Sequence, residues 1–137
     1  MARTLVLIKP DAMERRLMGE IISIYEKKGF HIAALKILRP TREIAELHYR
    51  EHSGKPFFPN LVEFITRGEV CAMILEGNNA VEMVRKLNGA TDPMKAEPGT
   101  IRCQYSLSMS ENSVHSSDSA ESAEREIKVW FPETSEP

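Results

Sequence analysis

Apolar positions fall into short groups of differing spacing along the chain, and the spacing predicts alternating strands and helices. Leu5-Val6-Leu7-Ile8 is an unbroken apolar tetrad closed by Pro10, too short for a helix, and reads as a buried strand. Met18, Ile21, Ile22 and Tyr25 recur at helical spacing, and Lys27-Lys28-Gly29 supplies the basic last turn and the glycine that end a helix. Ile32 to Leu38 is a second strand closed by Pro40, after which Thr41 is placed to cap a short helix carrying Ile44, Leu47 and His48. Beyond the irregular segment Ser53-Gly54-Lys55-Pro56-Phe57-Phe58-Pro59, a small amphipathic helix with Leu61, Phe64 and Ile65 is expected to end at Gly68. Val70 to Leu75 is the third strand. Asn78 or Asn79 can then cap a helix with Ala80, Val84 and Leu87 inward, ended by Gly89.

From Ala90 to about Asn112 no period is sustained. Loops longer than ~15 residues are uncommon in compact domains and usually functional or disordered. Thr91, Pro93, Pro98, Thr100 and Arg102 are not a low-complexity repeat, so an ordered segment forming part of a site is expected. Ser113-Val114-His115 leaves room for a short fourth strand, followed by a helix with Ala123, Ile127 and Trp130 inward and with Asp118 and Glu121 at capping-box spacing. The order, β-α-β, two inserted helices, then β-α-β, predicts an α+β fold. It is a ferredoxin-like split β-α-β sandwich, with helices on one face of a four-stranded, mainly antiparallel sheet, plus additional helices. The domain is expected to span residues 1–131, leaving 132–137 as a short, polar, mobile tail.

Composition narrows the partners. The 137 residues are 42% hydrophobic and 28% charged, one domain's worth of globular chain. With 18 Lys and Arg against 20 Asp and Glu, the net charge of -2 lacks the basic excess of a nucleic-acid coat, so any phosphate site must be a local cluster. No apolar run approaches the ~20 residues of a membrane span. The N-terminal residues enter the first apolar tetrad with no room for a signal-peptide core, so the expected compartment is the cytoplasm. Cys71 lies in an apolar run and is expected in the core, whereas Cys103 lies in a polar stretch, and the two make no metal or disulfide spacing.

The densest chemistry is Asn112-x-x-His115-x-Ser117-Asp118-Ser119-x-Glu121-Ser122-x-x-x-Glu126. His115 would stand at a strand end just ahead of a helix N-terminus, where free N–H groups favour an anion such as phosphate. Glu126, four residues after Ser122 on that helix, could reach back and hold the imidazole in one orientation. A helix cap beside a surface histidine explains the same serines and aspartate without catalysis. Lys9, Arg85 and Arg102 could converge on one anionic ligand, although each alone also reads as a solvated charge. Phe57 could stack on a nucleobase, or join Phe58 in the core. His31 and His48 read as structural, while Tyr49 and His52 could line one pocket. There is no P-loop, no dinucleotide fingerprint and no carboxylate pair at metal-ligand spacing.

Taken together these residues resemble one family. From Thr4 through Phe131 the chain is similar to nucleoside diphosphate kinases. The resemblance rests on Thr4-Leu5-Val6-Leu7-Ile8-Lys9-Pro10-Asp11, Tyr49-x-x-His52, Pro56-Phe57-Phe58, Gly89-Ala90-Thr91-Asp92-Pro93 and Pro98-Gly99-Thr100-Ile101-Arg102. It closes with Asn112-x-x-His115-x-Ser117-Asp118-Ser119, Glu126-Ile127 and Trp130-Phe131.

The resemblance implies ping-pong transfer of the γ-phosphoryl group of ATP to His115 and on to a nucleoside diphosphate. Lys9, Tyr49, Arg85, Thr91, Arg102 and Asn112 would hold phosphates and ribose, Phe57 the base, and Ser117 and Glu126 the histidine. Mg²⁺ would travel with the nucleotide, held mainly by its phosphates and by water rather than by protein ligands. The expected partners are nucleoside di- and triphosphates and further copies of the chain in a homo-oligomer, tetramer or hexamer, with no membrane and no required nucleic acid. Alternatives of other classes are a nucleotide-binding scaffold without transferase activity and a nucleic-acid-binding module. The chain departs from the family pattern at Ser116, where glycine is usual, and at Cys103-Gln104, where a small residue and aspartate are common. If position 116 requires φ > 0, the serine costs on the order of 1 kcal/mol.

Overall fold

The computed structural model describes residues 2–134. Four strands form one sheet in the order β2-β3-β1-β4, where β1 is Ala2–Ile8, β2 His31–Leu38, β3 Val70–Gly77 and β4 Val114–Ser116. Every pairing is antiparallel, with Leu5 opposite Ile74, Leu7 opposite His115 and Leu35 opposite Met73. β3 thus lies between β1 and β2, the split β-α-β arrangement expected from the element order.

The apolar pattern is explained by position in the sheet. β1 and β3 are central, covered on both faces, and read as continuous apolar runs. β2 is an edge strand, and its exposure alternates residue by residue. Helices cover both faces, correcting the expectation of a single covered face. Val6, Ile8, Met73 and Leu75 pack with Ile21 and Tyr25 of α2 (Met18–Lys27) and Val84 of α5 (Ala80–Asn88). Leu5, Leu7, Ala72 and Ile74 pack against α3 (Arg42–His48), α4 (Phe58–Thr66) and α7 (Ala120–Trp130). Cys71 is buried, as expected, and Phe58 joins this core while Phe57 is half exposed.

Helix ends follow local chemistry. Gly29 takes φ +105 after α2, and the Thr41 hydroxyl accepts the Ile44 N–H at the start of α3. Asn79 precedes α5 but makes no side-chain cap. At α7 the cap is Ser119, whose Oγ accepts the Ser122 N–H, rather than Asp118 with Glu121. Two five-residue helices, α1 (Pro10–Glu14) and α6 (Ile101–Tyr105), are too short to carry a periodic signal; α6 organises the stretch after Ala90. Pro132–Thr134 makes one 3-10 turn, with Glu133 paired to Lys36, and the remainder of the expected mobile tail lies outside the described residues.

Candidate active site

β4 is only three residues long, and consecutive side chains on a strand point to opposite faces. His115 therefore faces α3 and α7, while Ser116 faces α2 and α5.

The entry into β4 is bent. Ser113 has φ +74 and the Val114 N–H reaches back to the Asn112 carbonyl at 2.8 Å, a γ-turn of the rare left-handed kind. Strained backbone of this sort persists only where its surroundings over-determine it. Here Lys9 N–H donates to the Ser113 carbonyl at 2.8 Å and Asp11 Oδ2 accepts the Ser113 N–H at 3.1 Å. The turn presents Asn112, whose Oδ1 accepts from Lys9 Nζ at 3.0 Å.

His115 Nε2 lies 2.9 Å from Glu126 Oε1, which also accepts the Ser117 hydroxyl at 2.8 Å. Ser117 Oγ in turn accepts the Leu5 N–H, so its proton is directed to Glu126. A carboxylate can only accept, so this pattern assigns the imidazole proton to Nε2 and leaves Nδ1 with a free lone pair. Ser117 is thus the serine that meets Glu126 beside His115.

His48, read from sequence as structural, packs edge-on to the His115 ring at 4.5 Å between centroids and accepts from Trp130 Nε1 at 3.0 Å. A histidine on the flank of a helix carries no signal for this; only Trp130, 82 positions away, fixes it. Burial, then Lys9 and Arg102, push His115 down to about 3, and burial also holds His48 well below the ordinary imidazole value. Of the opposing neighbours anticipated from sequence, the cations and the loss of water prevail, and both rings are neutral.

These groups line a cleft of about 370 Å³. Its walls include Lys9, Tyr49, His52, Arg85, Thr91 and Arg102 along with His48, His115 and Glu126. Asn112 and Ser117 stand behind the wall, each bonded to a lining side chain. Phe57 is not among the lining residues; its ring sits 5.3 Å from that of His52, just outside. The Tyr49 hydroxyl is buried with no hydrogen-bond partner among the described residues. Sequence reasoning did not single out Asn88 or Glu51, which also line the cleft.

Arg102 spends three donors on backbone carbonyls: Asn112 at 3.2 Å, Gly89 at 2.7 Å and Val114 at 2.8 Å. It clamps the β4 turn to the end of α5, with two N–H groups left over. Gly89 is needed there, because at φ +86 a Cβ would come within 2.6 Å of Thr100. Lys9, buried beside Arg102, is pushed down to about 8.

Ser116 is not at positive φ, so its departure from glycine costs no left-handed strain. Its Oγ accepts from Asn88 Nδ2 at 3.0 Å, and Asn88 Oδ1 accepts the Tyr25 hydroxyl at 2.5 Å. Gln104 donates to the Gly99 carbonyl, tying α6 to its loop, while Cys103 is exposed.

His48, His115 and Glu126 offer atoms within 4.8 Å of one another, a spacing compatible with a metal ion. The hydrogen bonds oppose such use. An ion there would have to displace Trp130 from His48 or Glu126 from His115. The arrangement instead joins a neutral imidazole with a free lone pair to a cationic wall, which suits nucleophilic attack on a phosphorylated ligand.

The nucleoside diphosphate kinase family model matches residues 2–135. The nucleoside diphosphate kinase of Staphylothermus marinus is 61% identical over 129 residues, covering 94% of this chain and 92% of that one. The nucleoside diphosphate kinase of Clostridium perfringens is 55% identical over 130 residues, covering 95% and 91%. The apo crystal structure of nucleoside diphosphate kinase from Encephalitozoon cuniculi superposes with a TM-score of 0.95 at 46% identity, covering all of this chain and 93% of that one. With its fold and nearly its whole length shared at such identities, the chain belongs to the nucleoside diphosphate kinase family, enzymes of the phosphotransferase class.

Proposed function

We propose that His115 is the nucleophile of this nucleoside diphosphate kinase and that it carries the phosphoryl group between two half-reactions. The observation that supports this most is the pairing of His115 Nε2 with Glu126, which leaves Nδ1 free. In the first half-reaction Nδ1 attacks the γ-phosphorus of ATP, the bond from phosphorus to the β,γ-bridging oxygen breaks, and ADP leaves. In the second, a terminal phosphate oxygen of another nucleoside diphosphate attacks the phosphohistidine and the P–N bond breaks. Such transfers need little covalent help beyond positioning and charge neutralisation.

Lys9, Arg85 and Arg102 neutralise the phosphate oxygens, the last through its two uncommitted N–H groups. Tyr49, Thr91 and Asn112 hold phosphate and sugar, and the unpartnered Tyr49 hydroxyl supports its share of this role. Glu126 and Ser117 fix the tautomer. Phe57, exposed at the mouth, offers a face to any base, so purine and pyrimidine acceptors are expected to differ little. The fit to Mg²⁺ is through the nucleotide: Lys9, Arg85 and Arg102 in the wall would receive phosphates, the wall carboxylates Glu51, Asp118 and Glu126 do not cluster with one another among the described residues, and the ion when bound would shield phosphate charge.

The chain acts as a homo-oligomer, tetramer or hexamer, supported by the open edge strand β2 with half-exposed Leu35 and Ile37. No described helix is long and apolar enough to cross a membrane, and the place of action proposed is the cytoplasm.

Incubation with γ-labelled ATP and Mg²⁺, without acceptor, is expected to label His115 stoichiometrically. The bond should be acid-labile and base-stable, and any nucleoside diphosphate should discharge it. His115→Ala should lose labelling and exchange but keep nucleotide binding. Label that persists in that variant or sits on a serine overturns the assignment, and binding without labelling in the unsubstituted protein favours a scaffold.

A further inference from the structure

The active-site chemistry above has no use for Asp11, yet Asp11 is a buried carboxylate reaching across to the turn that enters β4. It follows Lys9 and Pro10 at the start of α1, and its Oδ2 accepts the N–H of Ser113, 102 positions away in sequence. Ser113 is fully buried and is the residue at φ +74. In a γ-turn the hydrogen bond joins the residues on either side of the central one, so the central N–H needs a partner from elsewhere. With water excluded, that partner must come from the protein itself, and Asp11 Oδ2 is the acceptor found there. The other carboxylate oxygen, Oδ1, is buried without a hydrogen-bond partner among the described residues.

What hangs from this turn is functional. Asn112 immediately before it holds Lys9 Nζ, the Asn112 and Val114 carbonyls receive Arg102, and His115 follows two residues later. Loss of the Ser113 N–H partner would favour an ordinary backbone at Ser113 and move all four groups.

The charge has a second role. Lys9 shares the cleft with Arg102 from α6, Arg85 from α5, His48 from α3, His115 from β4, Glu126 from α7, Asp118 between β4 and α7, and Tyr49, Glu51 and His52 after α3, and Asp11 stands two residues along in α1. His48 and His115 are neutral, and Glu126 is committed to His115 and Ser117. Asp11 is the carboxylate that favours the ammonium form of Lys9 against burial and Arg102.

We propose that Asp11 is a positioning residue for phosphoryl transfer. Its carboxylate holds the strained Asn112–Val114 turn in place, and with it the Asn112 side chain that receives Lys9 Nζ, and sets a negative charge two residues along from Lys9.

The proposal rests on the assignment of Lys9 and His115 above, and the test separates the two. Asp11→Asn keeps an oxygen for the Ser113 N–H and removes the charge; Asp11→Ala removes both. The unsubstituted protein and both variants are compared by thermal unfolding, by kcat and KM, and by kcat/KM against pH. Asp11→Asn is expected to keep kcat at pH 7 within about threefold, and to bring the alkaline fall in kcat/KM to lower pH by about half a unit or more, the direction set by losing a carboxylate next to an ammonium. Asp11→Ala is expected to lower kcat by about tenfold or more through a displaced turn, since small misplacements can cost up to about 10²-fold in rate. Superimposable pH profiles for Asp11→Asn and the unsubstituted protein, or an Asp11→Ala that is less heat-stable but equally fast, would overturn the proposal. Absence of phosphohistidine and exchange in the unsubstituted protein would instead overturn the assignment on which it rests.

Discussion

His115 and Ser116 are neighbours on one short strand, and each ends a buried chain of three hydrogen-bonded side chains, but the chains lie on opposite faces of the sheet. On one face Ser117 and His115 both meet Glu126; on the other Tyr25 reaches Asn88, which reaches Ser116. The first contains an imidazole and a carboxylate and leaves a ring nitrogen open to the cleft. The second is built from hydroxyls and an amide, with the Tyr25 phenol pushed further above its ordinary value by burial, so nothing in it changes charge near neutrality. Burial and hydrogen bonding alone therefore do not make a reactive site. What separates the two is a titratable member with an uncommitted lone pair facing cations.

Substitutions should affect the two faces in different observables. Glu126→Ala removes the acceptor that assigns the His115 tautomer, and kcat should fall by about 10- to 100-fold with little change in nucleotide KM, the range typical of losing a carboxylate that orients a histidine. Stopped-flow measurement of phosphohistidine formation checks this. An unchanged rate would mean that the ring is held by His48 packing instead.

The pH profile should follow the imidazole face and Lys9 alone. Because His115 is held neutral well below pH 6.5 and Lys9 keeps its proton until about one unit below 8, kcat/KM should be flat from about pH 7 down to about 5. Above about 8 it should fall as Lys9 loses its proton, by up to about tenfold per unit, while kcat falls at higher pH because bound phosphate favours the ammonium. Stability has the opposite sensitivity. The folded pKa values of His48 and His115 are depressed, so between pH 6.5 and the folded values the unfolded chain binds more protons, and urea-unfolding free energy should decline as pH drops below about 6.5. A kcat/KM midpoint near 6.5 would show that His115 titrates as an ordinary imidazole.

The smallest effects belong to the Ser116 face. Ser116→Gly should keep turnover within a few fold and destabilise by about 1 kcal/mol, because the Asn88 amide loses its acceptor and glycine is a poor strand residue. In a Tyr25→Phe background, which removes the other partner of Asn88, adding Asn88→Leu should recover part of the loss, since replacing every member of a buried polar chain by apolar groups can be nearly neutral. Equal and additive losses in the Ser116→Gly and Asn88→Leu single variants would mean that their hydrogen bond contributes nothing.

Much of this was legible from the chain. Continuous apolar runs marked the central strands and Thr41 and Gly29 marked helix ends, because these depend on near neighbours and on burial pattern. The residues quoted for the family resemblance named His115, Lys9, Arg102 and Glu126 as a set. Nothing in periodicity could reveal α1 and α6, which are barely longer than one turn, or the second layer of helices. Spacing also pointed to the wrong cap on α7, where Asp118 and Ser119 compete and backbone geometry selects the serine.

What only the tertiary structure decided is how distant residues condition one another. His48 is paired with Trp130 across 82 positions and Asp11 with Ser113 across 102. Arg102, read as a free cation, is also a clamp on three carbonyls. The sign of the His115 shift depended on how much water is removed and how near the cations come. The harmlessness of Ser116 depended on a backbone angle and on a partner from another helix. Residue types and local order are properties of the chain, while pKa, tautomer and strain are properties of an environment assembled from all of it.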